Sequence, residues 1–150
     1  MKEFNIEESL GHLVAKVHQV FSSHFKQKLG DYNLTPQQFG VLAYLWKQDG
    51  ISQIQLGDMT YKDRTTISGI IDRLEKEGLV TRRDDPGDRR ANLIFLTPKG
   101  AGLQDALVEI ALSTTREVTH MLTEKEKEQL RTLLTKILLN TRPNQDKTCS

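Results

Sequence analysis

The stretch Thr81-Arg82-Arg83-Asp84-Asp85-Pro86-Gly87-Asp88-Arg89-Arg90 places four arginines and three carboxylates around a Pro-Gly turn. Guanidinium groups present planar sets of N–H donors to phosphates and base edges, and interleaved carboxylates aim them through ion pairs. Just upstream, Thr65, Ser68, Gly69, Asp72, Arg73 and Lys76, with Arg64 and Thr66 at the margins, project from one side of a helical wheel whose other side carries Ile67, Ile70, Ile71 and Leu74. Hydroxyls and cations on one helix face suit a polyanion, and the amides of residues 64–66 at the helix start suit a phosphate oxygen. Asp72 fits less well, because a carboxylate facing phosphate is repelled; its expected work is to orient Arg73 or another cation. The plain counterparts of these readings are an ordinary solvated helix face and a hairpin kept soluble by mixed charges.

Other chemistries find little support. Three of the four histidines, His12, His18 and His24, recur every six residues, which is not the three- or four-residue spacing that puts metal ligands on one helix face. The chain carries no cysteine pair, His-Glu-x-x-His, phosphate-cradling glycine loop or nucleophile elbow, so no enzyme, metal or cofactor is expected. The single cysteine, Cys149, stands in a polar tail over residues 142–150 that is expected to be disordered, and an internal disulfide is excluded. There is no long apolar run and no signal-like block near Met1, which predicts a cytoplasmic chain with no membrane partner. Net charge is only +1, and between Asp63 and Arg90 seven cations face seven acids. Any case for nucleic acid therefore rests on where the charges point rather than on their sum.

The elements that position these residues are mostly helical. Ile6, Leu10, Leu13, Val14, Val17, Val20, Phe21, Phe25 and Leu29 have the period of a long amphipathic helix. Thr35-Pro36-Gln37-Gln38 and Ser52 with Gln55 are capping boxes that start two further helices, the second reaching about Met59. Thr60-Tyr61-Lys62 breaks the chain before Asp63 caps the helix bearing the polar face, and Gly78 ends it, with Leu79 placed to touch Leu74. The β-prone runs 79–81 and 93–96 flank the charged turn as a hairpin. Thr97-Pro98 opens a helix with apolar positions from Leu103 to Leu122, and Thr123 with Glu126 opens the last, carrying Leu130, Leu133, Leu134, Ile137 and Leu138. Two helices joined by a short turn and followed by a hairpin make a winged helix-turn-helix.

At this point the sequence resembles the multiple-antibiotic-resistance regulator (MarR) family, over residues 6–140. The resemblance is carried by the segment 65–100, in the helix ending D-R-L-E-x-x-G-L-V, the wing D-x-R at Asp88 and Arg90, and the following L-T-x-x-G. It implies a fold that is mostly α with a small β-hairpin wing: one domain over 1–141, with a winged helix-turn-helix lobe at 35–97 and dimerisation helices at 6–34 and 98–141. It also implies a homodimeric, sequence-specific transcriptional regulator, a repressor released by a small aromatic or phenolic effector, acting on a pseudo-palindromic double-stranded operator. Its two helices would meet successive major grooves about 34 Å apart. DNA contacts are implied at Arg64, Thr65, Thr66, Ser68, Arg73, Lys76, Asp88, Arg89 and Arg90, with Arg90 entering the minor groove and Asp88 steadying it. Gly69 departs from the family, where larger and often basic side chains are common. Effector contacts are implied by position at His12, Phe21, Phe39 and Trp46, each of which has ordinary core packing as its competing role. A winged-helix module that binds a protein partner remains the alternative reading.

Overall fold

The computed structural model describes residues 2–141, and of Arg89 and Arg90 the backbone alone; the tail 142–150, with Cys149, lies outside the described residues. Helix α1 runs over Leu10–Leu29, α2 over Pro36–Lys47, α3 over Gln53–Met59 and α4 over Arg64–Lys76. Strands β1 (Ile51–Ser52), β2 (Val80–Asp85) and β3 (Asp88–Leu96) form one antiparallel sheet in the order β1-β3-β2. Helices α5 (Pro98–Gly102), α6 (Gln104–Val118) and α7 (Glu124–Asn140) complete the chain.

The starts of α2, α3, α4, α5 and α7 follow their capping chemistry. Thr35 with Gln38, Ser52 with Gln55 and Thr123 with Glu126 each form the reciprocal box. Asp63 accepts the Thr66 amide at 2.7 Å. Helix α4 ends as expected: Gly78 takes φ +73, and the Leu79 amide closes onto the Leu74 carbonyl at 2.9 Å. Leu79 and Leu74 are both buried, in a core that also holds Leu42, Leu45, Leu56, Ile67, Ile71, Val80 and Ile94.

Three expectations change. The first helix begins at Leu10, because residues 6–8 form a separate 3-10 turn capped by Asn5. The helix expected across Leu103 to Leu122 is divided at Leu103, where two glycines, Gly100 and Gly102, weaken the helical backbone, and α6 stops at Val118. Ile51 and Ser52 do more than cap α3: they pair with Ile94 and Leu93 as a third strand. Two residues are too short a run to show strand periodicity in a sequence.

Candidate nucleic-acid interface

Helix α4 buries Ile67, Ile70, Ile71 and Leu74, which turns Arg64, Thr65, Thr66, Asp72, Arg73 and Lys76 outward; Ser68 and Gly69 are half-buried. On one flank Arg64 lines a cleft of about 190 Å3 with Ser52, Gln53 and the strand residues Ala91 and Asn92. On the other flank Thr65, Thr66, Gly69 and Arg73 line an open depression of about 360 Å3 with Thr35, Gln37 and Lys62. The helix thus stands proud between two grooves. The Thr66 amide is not available to an incoming phosphate, because the Asp63 carboxylate already holds it.

The charge balance read along the chain separates in space. Asp63 caps α4, and Asp85 accepts the Gly87 amide at 2.9 Å and so shapes the turn. Asp72 pairs at 2.5 Å with Arg82 of β2, so the cation it orients is not Arg73. Glu75 pairs with the same guanidinium at 3.1 Å. Among the described residues Arg64, Arg73 and Lys76 make no ion pair, which leaves three cations on the outer face for phosphates. Four of the seven acids are thus engaged in a cap, the turn and a single internal arginine: Asp63, Asp85, Asp72 and Glu75.

The wing extends from this base. Its strands are longer than the apolar runs suggested, with Asp84 opposite Asn92 and Asp85 opposite Asp88 across a two-residue Pro86-Gly87 turn. Arg83 lies over the Phe95 ring at 4.4 Å, a cation–π contact that holds it against the sheet. Asp88, Arg89 and Arg90 lie on β3 at the tip; the side chains of Arg89 and Arg90 lie outside the described residues.

Sequence reasoning missed Arg82 as part of this site. The signal was available in strand parity: Val80 is buried, so two residues on, Arg82 must face the same way, toward α4.

The positions considered for an effector do not all converge. Phe39 stands edge-on between Phe25, at 4.9 Å, and Trp46, at 5.8 Å. The Trp46 indole N–H donates to the Gly100 carbonyl at 3.0 Å. Phe21 lies one helical turn before Phe25 on α1, whereas His12 is thirteen residues from Phe25, about 20 Å along the helix. Within one chain the aromatic row is brought together and His12 is not.

A polar helix face with a wing tied to its flank is the arrangement by which helix-turn-helix proteins enter the major groove, and the sequence comparisons agree. The MarR family model matches residues 34–91. The chain is 39% identical to the HTH-type transcriptional repressor NicR of Pseudomonas putida over 108 residues, covering 72% of this chain and 68% of that protein. The chain belongs to the MarR family. Among solved MarR-type structures, that of Bordetella bronchiseptica BpsR, studied for regulation of its DNA binding by 6-hydroxynicotinic acid, is 32% identical, covers 91% of this chain and 97% of that one, and superposes with a TM-score of 0.84. A mutant MarR from E. coli complexed with operator DNA is 29% identical, covers 92% and 99%, and gives a TM-score of 0.82. The MarR-type fold is mostly helical with a small antiparallel sheet, and the chain is a DNA-binding transcriptional regulator. Among the described residues no helix is long and apolar enough to cross a membrane.

Proposed function

We propose that this regulator is a cytoplasmic homodimeric repressor, with no catalytic activity of its own, that holds a pseudo-palindromic operator and releases it when a small aromatic acid or phenol binds. The observation that carries the DNA reading is the outward row Arg64, Arg73 and Lys76, free of ion pairs among the described residues, beside a wing tied to the same helix. The repressor output and the effector class draw on NicR and on the 6-hydroxynicotinic acid of BpsR. Phe39 and Trp46 are the proposed effector contacts within one chain, with Phe21 one helical turn from the Phe25 that packs on Phe39 and His12 further along α1. Trp46 is the single tryptophan, so its fluorescence reports binding directly. Titration with 6-hydroxynicotinic acid should change that emission and release DNA over the same concentration range.

The operator reading is tested with DNA from upstream of the protein's own gene. Two identical α4 helices related by a two-fold axis need half-sites about one helical turn apart, so inserting about five base pairs at the centre turns one site to the opposite face and should abolish tight binding. Unchanged affinity after insertion would rule out paired docking. At the wing, Arg90 is proposed to enter the minor groove and Asp88 to steady it. Arg90→Ala should weaken operator binding by about 1–3 kcal/mol and flatten the salt dependence, because fewer counterions are released. Asp88→Ala should do the same more mildly and Asp84→Ala little; wild-type binding by Arg90→Ala in a mobility-shift titration would remove the minor-groove role.

A further inference from the structure

Arg82 is a basic residue of the wing that does not face outward. Its side chain is 19% exposed, and all three of its guanidinium nitrogens are engaged. Nε donates to Gln53 Oε1 on α3 at 3.2 Å, Nη1 meets Asp72 at 2.5 Å and Glu75 at 3.1 Å on α4, and Nη2 donates to the Ser68 carbonyl at 3.2 Å. Its backbone amide donates to the other Glu75 oxygen at 3.3 Å. Strand β2 is an edge of the sheet, so this amide would otherwise point to solvent.

We propose that Arg82 is the positioning residue that fixes the angle between the wing and the DNA-reading helix, and that it does so by spending the two acids of α4 that would repel phosphate. The inference rests on the DNA-binding reading and names a residue for it that makes no DNA contact itself. A planar fork on β2 that reaches α3 and α4 at once sets both distance and direction, which a point charge does not. With Asp72 and Glu75 drawn onto one guanidinium, part of their charge is offset and both are held toward β2, which weakens the repulsion they would otherwise set against phosphate beside the outward cations. A wing set at the wrong angle still attracts DNA by charge, but it no longer enters the minor groove while α4 sits in the major groove. The loss therefore falls on discrimination between operator and other DNA more than on binding as such.

The test compares wild type, Arg82→Lys and Asp72→Asn by fluorescence anisotropy, using a duplex from upstream of the protein's own gene and a scrambled duplex of the same length. Thermal midpoints serve as the folding control. Arg82→Lys keeps the charge; it should lose at least tenfold in the ratio of operator to scrambled affinity, and the amides of residues 81–93 should exchange at least tenfold faster in the free protein. Asp72→Asn removes one arm without touching the core. It should bind scrambled DNA at least as well as wild type while its operator preference drops severalfold. Wild-type discrimination and exchange in Arg82→Lys would overturn the proposal. So would an Asp72→Asn variant that tightens on both duplexes equally, since Asp72 would then be only a repelling charge. If wild type binds neither duplex, the DNA reading itself fails, and exchange in the free protein still decides whether Arg82 fixes the wing.

Discussion

Two helical glycines show how differently the same residue type can be constrained. A Cβ on Gly100 would lie 2.1 Å from the Leu79 carbonyl oxygen, an impossible approach to backbone that is itself held, since Leu79 O accepts the Thr97 amide at 3.0 Å. Around that point Thr97 Oγ1 donates to the Gly78 carbonyl at 2.6 Å and accepts the Gly100 amide at 3.1 Å, and Trp46 donates to the Gly100 carbonyl. The L-T-x-x-G signature is thus the joint between the end of β3 and the end of α4. A Cβ on Gly69 meets nothing within 4 Å. Gly100→Ala should therefore cost about 1–3 kcal/mol through overpacking, whereas Gly69→Ala should stabilise by about 0.5–1 kcal/mol through helix propensity. Denaturant midpoints check both; a neutral Gly100→Ala would mean the joint is not rigid. Gly69 leaves open space in the depression that it lines with Arg73.

At the scale of elements, the starts of α2, α3, α4, α5 and α7 and the α4 stop were legible because each depends on side chains close along the chain, as at Ser52 with Gln55 or Gly78 with Leu79. The polar face of α4 was legible for the same reason, its period being local. What was not legible depends on partners far along the chain: β1 exists only because β3 passes beside it, and Asp72 finds Arg82 only because β2 folds back along α4. A further pairing of that kind joins α1 to α6. Lys28 donates to Glu117 at 2.7 Å and to Ser113 at 3.0 Å, with His24 Nδ1 3.6 Å from the other Glu117 oxygen. The hydrogen bond from the Lys28 ammonium, helped by its charge and by His24, holds the Glu117 carboxyl below the ordinary carboxylate range. A carboxylate lowered in the folded state stabilises above its unfolded pKa, about 4.3, and that contribution fades as pH falls through the lowered folded value. Glu117→Gln should accordingly lower the thermal midpoint at pH 7, and the gap to wild type should close below about pH 4. Glu117 is about half exposed, so the effect at pH 7 is small and weakens with salt. A gap constant from pH 7 to pH 3 would assign the difference to packing.

At the scale of the molecule, α7 is the telling element: seventeen residues, none of them buried. Leu130, Leu133, Leu134, Ile137, Leu138 and Leu139 remain exposed on it, as do Leu10, Leu13, Val14, Val17 and Val20 on α1. Each half-exposed side chain leaves on the order of 1 kcal/mol of transfer free energy unused. Counted over two copies, these faces can exceed the roughly 4–15 kcal/mol that association costs. A second copy of the chain is the occupant proposed here, because it would also place two α4 helices on one duplex. α7 is tied to the DNA-reading lobe as well: Tyr61, in the turn between α3 and α4 with φ +57, donates to the Leu138 carbonyl at 3.4 Å. Pairing of the α7 helices would therefore bear directly on the turn that sets α4. Leu134→Glu with Ile137→Glu should convert the dimer to monomer in sedimentation at micromolar concentration. Each lobe should keep its fold, since neither residue belongs to the core, while operator affinity falls at least a hundredfold because one half-site is then bound at a time. A doubly substituted chain that still sediments as a dimer would place the interface elsewhere, and one that is monomeric yet binds operator like wild type would show that a single lobe suffices.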